Sequence, residues 1–260
     1  MTFSEINYNC TNGIATITLN RPESLNALSL SMAREIARAI EQVRADDDCK
    51  VVIITGAGRA FCAGGDIKAM QRGMTTVEGR EYVMEVGRVI LAMRDLEKPI
   101  IAAVNGYAMG AGFNLALAAD LIIAAKEAKF GQLFVQVGLA IDAGGSYYLP
   151  RAVGLARAKE LVFTGRIIDA GEAFSMGLIN RVTEKESLEE EVVSLATGLA
   201  RGPTQALGLS KILINSGLET GLEAALANEA FAQSICMQTA DHREGVAAFL
   251  EKRAPRFSGK

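Results

Sequence analysis

Residues 100–125 read IIAAVNGYAMGAGFNLALAADLIIAA, and this pattern sets the architecture expected for the rest of the chain. Its first five residues predict a buried strand, and the glycine-rich turn after them opens a helix that continues through residue 119. Residues 121–124 predict a second buried strand. A membrane span has a similar length, but the glycines in the first half and the polar Asn105, Asn114 and Asp120 favour strand, turn and buried helix.

The same alternation extends outward from this stretch. Residues 13–19 alternate with period two and residues 51–55 form a β-branched run, so both predict strands. Helical spacing predicts helices over residues 29–43 and 81–96, with a flexible loop at 73–79. After residue 142 the predicted elements are helices, over 156–164, 170–176, 188–200, 204–217, 222–239 and 244–253. We expect one α/β domain over residues 1–200 and a helical subdomain over 201–260, whose apolar faces favour a homo-oligomer.

Composition excludes several classes of function. The 260-residue chain is 50% hydrophobic, carries a net charge of −3 and has no run of Lys or Arg, so neither nucleic acid nor an anionic membrane surface is an expected partner. Four cysteines and a single histidine form no metal-ligand or redox spacing. We therefore expect free thiols and no metal. Because the first residues show no basic segment leading into an apolar one, we expect a cytoplasmic location.

Two glycine-rich segments, CAGGD at residues 62–66 and MGAGF at residues 109–113, each follow a predicted strand and precede a predicted helix. Gly56-x-Gly58 and Gly110-x-Gly112 would fit the start of a nucleotide-binding motif, but neither completes the dinucleotide-binding G-x-G-x-x-G, and no P-loop is present. The glycines fit tight turns and close helix–strand packing. They also fit a second role, because free N–H groups at helix N-termini stabilise a developing negative charge, and two that converge on one oxygen make an oxyanion hole.

A third segment, GLAIDAGGS at residues 138–146, places one carboxylate, Asp142, in an apolar run before a glycine pair. One interpretation is that Asp142 caps the helix that follows. The other is that it carries a proton in a reaction, since an apolar setting formed by Phe113, Phe134, Leu139 and Ile141 would raise its pKa toward neutrality. The pattern alone leaves both open.

Four longer segments together carry a family resemblance: LNRPESLNAL at 19–28, GAGRAFCAGGDIK at 56–68, AVNGYAMGAG at 103–112 and REGVAAFLEKR at 243–253. Over essentially its full length the chain resembles the crotonase (enoyl-CoA hydratase/isomerase) superfamily. The resemblance implies a spiral of strand–strand–helix units with a C-terminal helical subdomain that contributes to trimerisation and CoA contact. It also implies a trimer or a dimer of trimers and an acyl-CoA substrate, with no cofactor beyond the CoA that the substrate carries.

The resemblance assigns roles to individual residues. The oxyanion donors map onto the backbone N–H groups of Gly65 and Ala111. Substrate contacts map onto Ala63, Asp66, Ile67 and Leu25, and onto Phe249 and Lys252 near the nucleotide end. Residues 70–89 are expected to line the acyl pocket, and Phe113, Asn114, Phe134 and Leu139 are also expected to contact the substrate.

The resemblance also bears on the chemistry. Hydratases of this family use two glutamates, and the matching positions here are Asn114 and Phe134. Phe134 can neither activate water nor donate a proton, and Asn114 can only hydrogen-bond, so efficient hydration is not expected. Asp142 matches an aspartate found in dienoyl-CoA isomerases, the 4-chlorobenzoyl-CoA dehalogenase and 1,2-epoxyphenylacetyl-CoA isomerases.

Among these branches, the dienoyl isomerases also need acids at positions 114 and 134. The dehalogenase needs a pocket histidine and tryptophan, whereas this chain has no tryptophan and its one histidine, His242, is in the tail. The chain is most similar to 1,2-epoxyphenylacetyl-CoA isomerases, in residues 138–151 and 255–260. We therefore expect an isomerase with Asp142 as its acid/base. The alternatives are a hydratase with a single acid and a weakly catalytic acyl-CoA-binding subunit.

Overall fold

The computed structural model describes residues 3–260 of the protein, which form two β-sheets surrounded by helices. The strands are β1 Ile6–Thr11, β2 Ile14–Leu19, β3 Val51–Gly56, β4 Ala60–Cys62, β5 Ile100–Val104, β6 Tyr107–Met109, β7 Leu121–Ala125, β8 Lys129–Gly131, β9 Ile167–Asp169 and β10 Arg181–Thr183. The helices are α1 Leu30–Ala45, α2 Ile67–Gln71, α3 Thr76–Arg94, α4 Ala111–Leu117, α5 Gly145–Val153, α6 Leu155–Thr164, α7 Ala170–Ser175, α8 Leu188–Ala200, α9 Thr204–Gly217, α10 Leu222–Cys236 and α11 Ala240–Glu251. Short 3₁₀ helices span Pro22–Ser24, Leu133–Val137 and Lys185–Ser187.

The two sheets show the predicted spiral. The larger sheet has the order β1-β2-β3-β5-β7-β10 and is parallel except for the β1–β2 hairpin, and the smaller sheet has the order β4-β6-β8-β9. Consecutive strands β3 and β4, β5 and β6, and β7 and β8 therefore divide between the two sheets. Each strand–strand–helix unit adds one strand to each sheet, which confirms the predicted α/β spiral.

The larger sheet is covered on both faces. In β3, Val52 and Ile54 enter the main hydrophobic core, while Val51 and Ile53 pack with the buried face of α8. Because both faces exclude water, the strand is apolar at consecutive positions rather than alternating. This burial explains why residues 51–55 and 100–104 were recognisable as strands.

The helix boundaries partly correct the predictions. The predicted loop at 73–79 is wrong, because α3 begins at Thr76 rather than at residue 81. A reciprocal capping box starts the helix: the Glu78 N–H donates to the Thr75 hydroxyl, and the Thr75 N–H donates to the Glu78 carboxylate. The helix predicted over 222–239 ends at Cys236, and the last helix begins at Ala240 rather than at residue 244.

Residues 99–125 form the three strands β5, β6 and β7 and the seven-residue α4, and no helix within residues 3–260 is long and apolar enough to cross a membrane. Helix α9 attaches to the core through the buried Lys211, whose ammonium lies 2.9 Å from the Asp120 carboxylate. That carboxylate also accepts from the Ile100 N–H at 2.7 Å, so Asp120 connects α9 to the start of β5. The division of the chain at residue 200 stays a prediction.

Candidate active site

The two glycine segments lie side by side. Strand β4, which ends in the first segment, pairs in parallel with β6, which ends in the second. A Cβ added to Gly64, whose φ is +101°, would lie 2.9 Å from the Met109 carbonyl oxygen and 3.7 Å from the Ala111 nitrogen. One on Gly112 would lie 2.2 Å from the Cys62 carbonyl oxygen. These glycines therefore permit the close packing that the sequence suggested.

The same packing brings together the two predicted oxyanion donors. Gly65 follows β4 and is bridged to Leu28, while Ala111 is the first residue of α4. The flanking groups are engaged, since the Leu28 N–H donates to the Gly64 carbonyl and the Asp66 N–H donates to the Leu28 carbonyl. Among residues 3–260, no acceptor is hydrogen-bonded to the N–H of Gly65 or of Ala111. Both donors are therefore free for a ligand.

Tyr82, on α3, packs against the first glycine segment. Its buried hydroxyl donates to the Leu28 carbonyl at 2.8 Å and lies 3.2 Å from where a Cβ on Gly65 would be. Burial, and secondarily the charge of Asp142, raise the pKa of Tyr82. Nothing in the sequence singled out this tyrosine, although it falls within residues 70–89, the predicted acyl-pocket region.

Asp142 is half-buried, and its Oδ1 is buried with no hydrogen-bond partner in the described part of the chain. Burial raises the pKa of Asp142 from its ordinary value of 3.8 to about 6. The helix-capping interpretation is wrong, because α5 begins at Gly145 with Gly144 as its N-cap and no side chain caps it. Asp142 is thus a carboxyl group without a structural partner, a type of residue that often marks a functional site.

The apolar residues predicted around Asp142 occupy different environments. Phe134 is buried, with its ring 3.6 Å from where a Cβ on Gly110 would be. Ile141 packs on the core, whereas Leu139 is exposed. Phe113 is fully buried, with its ring centroid 5.2 Å from that of Phe130. The structure therefore gives no support to the predicted contact of Phe113 with substrate, because the side chain presents no surface.

Asn114 and Gln132 form a buried amide pair beside the Asp142 segment. The Asn114 side chain donates to the Asp142 carbonyl oxygen at 2.8 Å and accepts from the Gln132 Nε2 at 2.7 Å. Both side chains are inaccessible to solvent. Gln132 was missed in the sequence, because an isolated glutamine carries no pattern that announces a buried partner.

The predicted substrate contacts fall into two groups. The first surrounds Gly65 in the chain: the Ala63 N–H donates to the Leu25 carbonyl at 3.0 Å, and Ile67 is exposed at the start of α2. Asp66 caps α2 through the Ala69 N–H and pairs with Arg21 at 3.0 Å. Burial alone would raise the pKa of Asp66, but these partners outweigh it and lower that pKa. Asp66 therefore holds the segment in place.

The second group lies at the other end of the chain. Phe249 is 84% exposed on α11, and Lys252 is the exposed residue that ends this helix. The Lys252 N–H bonds within the same helix, to the Ala248 and Phe249 carbonyls. The structure does not bring these residues to the glycine segments, and their contact with the nucleotide end of CoA stays a prediction. His242 is also exposed there, with its N–H donating to the Thr239 hydroxyl.

The strands of the spiral alternate between two sheets, and two adjacent glycine segments accompany the half-buried carboxyl group of Asp142. These features define a crotonase-fold protein. The family model described as enoyl-CoA hydratase/isomerase matches residues 9–260. The chain belongs to this family, whose members act on CoA thioesters. The resemblance noted in the sequence is therefore confirmed.

Some of the individual relatives are named isomerases and others are named hydratases. The chain is 42% identical to the 1,2-epoxyphenylacetyl-CoA isomerase of Escherichia coli, over 95% of this chain and 96% of that protein. It is 41% identical to the crotonyl-CoA hydratase of Syntrophomonas wolfei, over 95% of each. The solved enoyl-CoA hydratase of Bacillus anthracis superimposes with a TM-score of 0.94 at 37% identity, over 99% of this chain and 100% of that one. Overall similarity thus identifies the family but does not distinguish an isomerase from a hydratase, and that distinction depends on the site residues.

Proposed function

We propose that the protein is an acyl-CoA isomerase that moves a proton or double bond, or opens an epoxide, on a CoA thioester. One observation carries the proposal: the buried Oδ1 of Asp142 has no hydrogen-bond partner among residues 3–260, and the backbone of Asp142 is hydrogen-bonded to Asn114 of α4, the helix that begins at Ala111. The two positions where family hydratases place glutamates hold Asn114, whose amide nitrogen and oxygen are both hydrogen-bonded, and Phe134, which packs on Gly110. Neither can activate water.

The proposed mechanism assigns each group a step. The N–H groups of Gly65 and Ala111 stabilise the enolate-like thioester oxygen, each contributing roughly 3 kcal/mol in the transition state. Asp142 takes a proton from one carbon and returns it to another. A pKa of about 6 suits this shuttle, because the carboxylate is mostly ionised at neutral pH and still returns the proton readily.

Substrate binding is proposed for the residues around these groups. Ala63, Leu25, Asp66 and Ile67 adjoin Gly65 and would hold the CoA moiety, while Phe134 and Leu139 would face the acyl part. CoA arrives as part of the substrate, and the mechanism uses no other cofactor or metal. Phe249 and Lys252, both exposed, would reach the nucleotide end from α11.

A hydratase is the second candidate, favoured by the 41% identity to a crotonyl-CoA hydratase. It would require Asp142 to activate water and also to supply the α-carbon proton, two tasks that the family's hydratases divide between two glutamates. A weakly catalytic acyl-CoA-binding subunit is the third, and it would need no working Asp142.

We further propose a homo-oligomer, a trimer or a dimer of trimers. The C-terminal helices α10 and α11 leave large apolar side chains on the surface: Leu222, Phe231, Phe249 and Leu250 are each more than 70% exposed. Faces of this kind are usually covered by another subunit. A cytoplasmic location is proposed because the four cysteines are free thiols.

Asp142→Asn tests the proposal. Removing a positioned acid/base lowers the rate by about 10²- to 10⁴-fold, so we expect a loss of this size in kcat with binding of a saturated acyl-CoA retained. The measurement is turnover of a panel of 2-enoyl-, 3-enoyl- and epoxyacyl-CoA thioesters by both proteins. Equal turnover of every substrate by the variant would exclude Asp142 as the acid/base.

A further inference from the structure

The segment that carries Asp142 is held by a single turn. The Asp142 carbonyl accepts from the Gly145 N–H at 2.9 Å, and the two residues between them have positive φ, 49° at Ala143 and 74° at Gly144. This is the pattern of a type I′ turn. Alanine rarely adopts such a φ, so the conformation persists only where its surroundings hold it.

Asn114 supplies that hold. Its amide donates to the same Asp142 carbonyl at 2.8 Å, which therefore has two donors. The amide also lies directly against Gly145, since a Cβ added there would be 2.3 Å from the Asn114 Nδ2. Asn114 thus contacts the first and the last residue of the turn, and glycine at position 145 is what lets it approach.

Gln132 fixes which way the Asn114 amide faces. Its Nε2 donates to the Asn114 Oδ1 at 2.7 Å, so the Asn114 NH₂ is directed at the Asp142 carbonyl. A carboxylate at position 114 could not make both contacts, because an ionised oxygen would then oppose the carbonyl oxygen. An uncharged amide is the side chain that this geometry requires.

The Asp142 side chain has no such restraint of its own, because its buried Oδ1 has no partner among residues 3–260. The backbone turn therefore sets where the carboxyl group lies. We propose that Asn114, oriented by Gln132, is a positioning residue that fixes the Asp142 carboxyl against the reacting carbons of the thioester. The inference rests on the proposed function, since it takes Asp142 to be the proton carrier.

The test compares Asn114→Ala, Asn114→Asp and Gln132→Leu with the wild type. A small displacement of a catalytic group can cost up to about 100-fold in rate, so we expect kcat for isomerisation to fall by about 10- to 100-fold with KM nearly unchanged. The loss should be larger for Asn114→Asp, which adds repulsion, and smaller for Gln132→Leu, which frees the amide to turn. Titration with butyryl-CoA counts the functional binding sites, and kcat is calculated per site so that unfolded protein does not contribute.

Asn105→Ala is the matched control. The Asn105 amide also donates to loop carbonyls, those of Gly56 at 2.8 Å and Gly58 at 3.0 Å, but it does not touch the Asp142 turn. We expect it to keep the wild-type kcat even where stability falls.

The pH dependence of kcat is a further test, because a loss of folded protein lowers kcat without shifting its pH profile. The charge of Asp142 acts on Tyr82 of α3, whose pKa it helps to raise, whereas Asn114, which donates to the Asp142 carbonyl, and its partner Gln132 are uncharged. Once the turn relaxes, water reaches Asp142 and the acid limb of kcat should move to lower pH in Asn114→Ala. Wild-type kcat and an unmoved acid limb in Asn114→Ala, with Asp142→Asn inactive, would overturn this inference alone. Full activity of Asp142→Asn would overturn the proposed function with it.

Discussion

At the scale of single residues, Asp142 combines burial with the absence of a partner. Burial withdraws its carboxyl group from water and raises its pKa to about 6. Asp66 shows the opposite outcome: the Ala69 N–H and Arg21 hold its carboxylate, and its pKa is lowered. The two carboxyl groups thus divide into one that titrates near neutrality and one that stays ionised to hold the glycine segment.

The first prediction concerns the pH dependence of the rate. Asp142 acts as a base only when ionised, so kcat/KM for isomerisation should fall about tenfold per pH unit below its pKa of about 6 and level off above it. Tyr82 stays neutral throughout this range, because burial raises its pKa. Initial rates between pH 4.5 and 8 measure the profile. A flat profile would exclude Asp142 as the base.

The second prediction concerns stability. Since the folded pKa of Asp142, about 6, exceeds its ordinary value of 3.8, the folded state binds the proton more tightly than the unfolded state. Stability is therefore lost as pH rises from about 4 to 6, by about 3 kcal/mol in total. Asp142→Asn removes this loss and should be more stable than the wild type at pH 7 but not at pH 4.

Urea denaturation at both pH values measures the difference. The exposed Asp47→Asn makes the same change in charge, and its free energy of unfolding should stay within about 0.5 kcal/mol of wild type. The compared quantity is the free energy of unfolding of Asp142→Asn minus that of the wild type. If this difference is no larger at pH 7 than at pH 4, the carboxyl group is not desolvated.

The sequence and the family resemblance singled out Asp142, Gly65 and Ala111 as candidate catalytic groups, and their roles stay predictions. The segments of Gly65 and Ala111 are adjacent, and Asn114 of α4 is hydrogen-bonded to the Asp142 backbone. The sequence could not identify Tyr82 or Gln132, because their roles come from neighbours that are distant in the chain, Leu28 and Asn114. Asn114 was noticed only as the absence of a glutamate. Its contacts with the Asp142 turn depend on tertiary packing that no local pattern records.

At the scale of secondary structure, most long elements and the short α7 were predicted, whereas the three-residue strands, the six-residue β1 and α5 were not. The strands β2, β3, β5 and β7 carry alternating or continuous apolar patterns and were found, whereas β4, β6, β8, β9 and β10 have three residues each and too little pattern to recognise. The start of α3 was available in the sequence, because Thr75 and Glu78 have the spacing of a capping box. Because Gly73 and Gly79 flank these residues, the sequence favoured a flexible loop there instead.

A prediction at this scale concerns how α9 joins the core. Lys211 is buried, pairs with the partly exposed Asp120 and donates to the Met93 carbonyl at 2.8 Å. Lys211→Met leaves the carboxylate and the carbonyl without their cationic partner and should lower the free energy of unfolding by about 2 to 3 kcal/mol. Lys126→Met breaks the exposed pair with Glu184 and should cost less than about 1 kcal/mol. Equal losses in the two variants would contradict a structural role for Lys211.

At the scale of the whole molecule, the exposed apolar residues of the C-terminal helices predict assembly. Light scattering should give three or six times the chain mass of 27.6 kDa. Phe231→Glu places a charge on α10 and should dissociate the assembly, whereas Phe163→Glu, equally exposed on α6, should not. A monomeric wild-type protein would exclude the proposed oligomer.

We propose that this site rearranges a CoA thioester without adding water. The most direct measurement is to incubate the protein with crotonyl-CoA, a 3-enoyl-CoA and an epoxyphenylacetyl-CoA, and to follow products by chromatography and mass. We expect a rearranged product of unchanged mass from the 3-enoyl or the epoxy substrate. A gain of one water by crotonyl-CoA at a normal enzymatic rate would contradict it, because neither Asn114 nor Phe134 can supply the second acid that hydration needs.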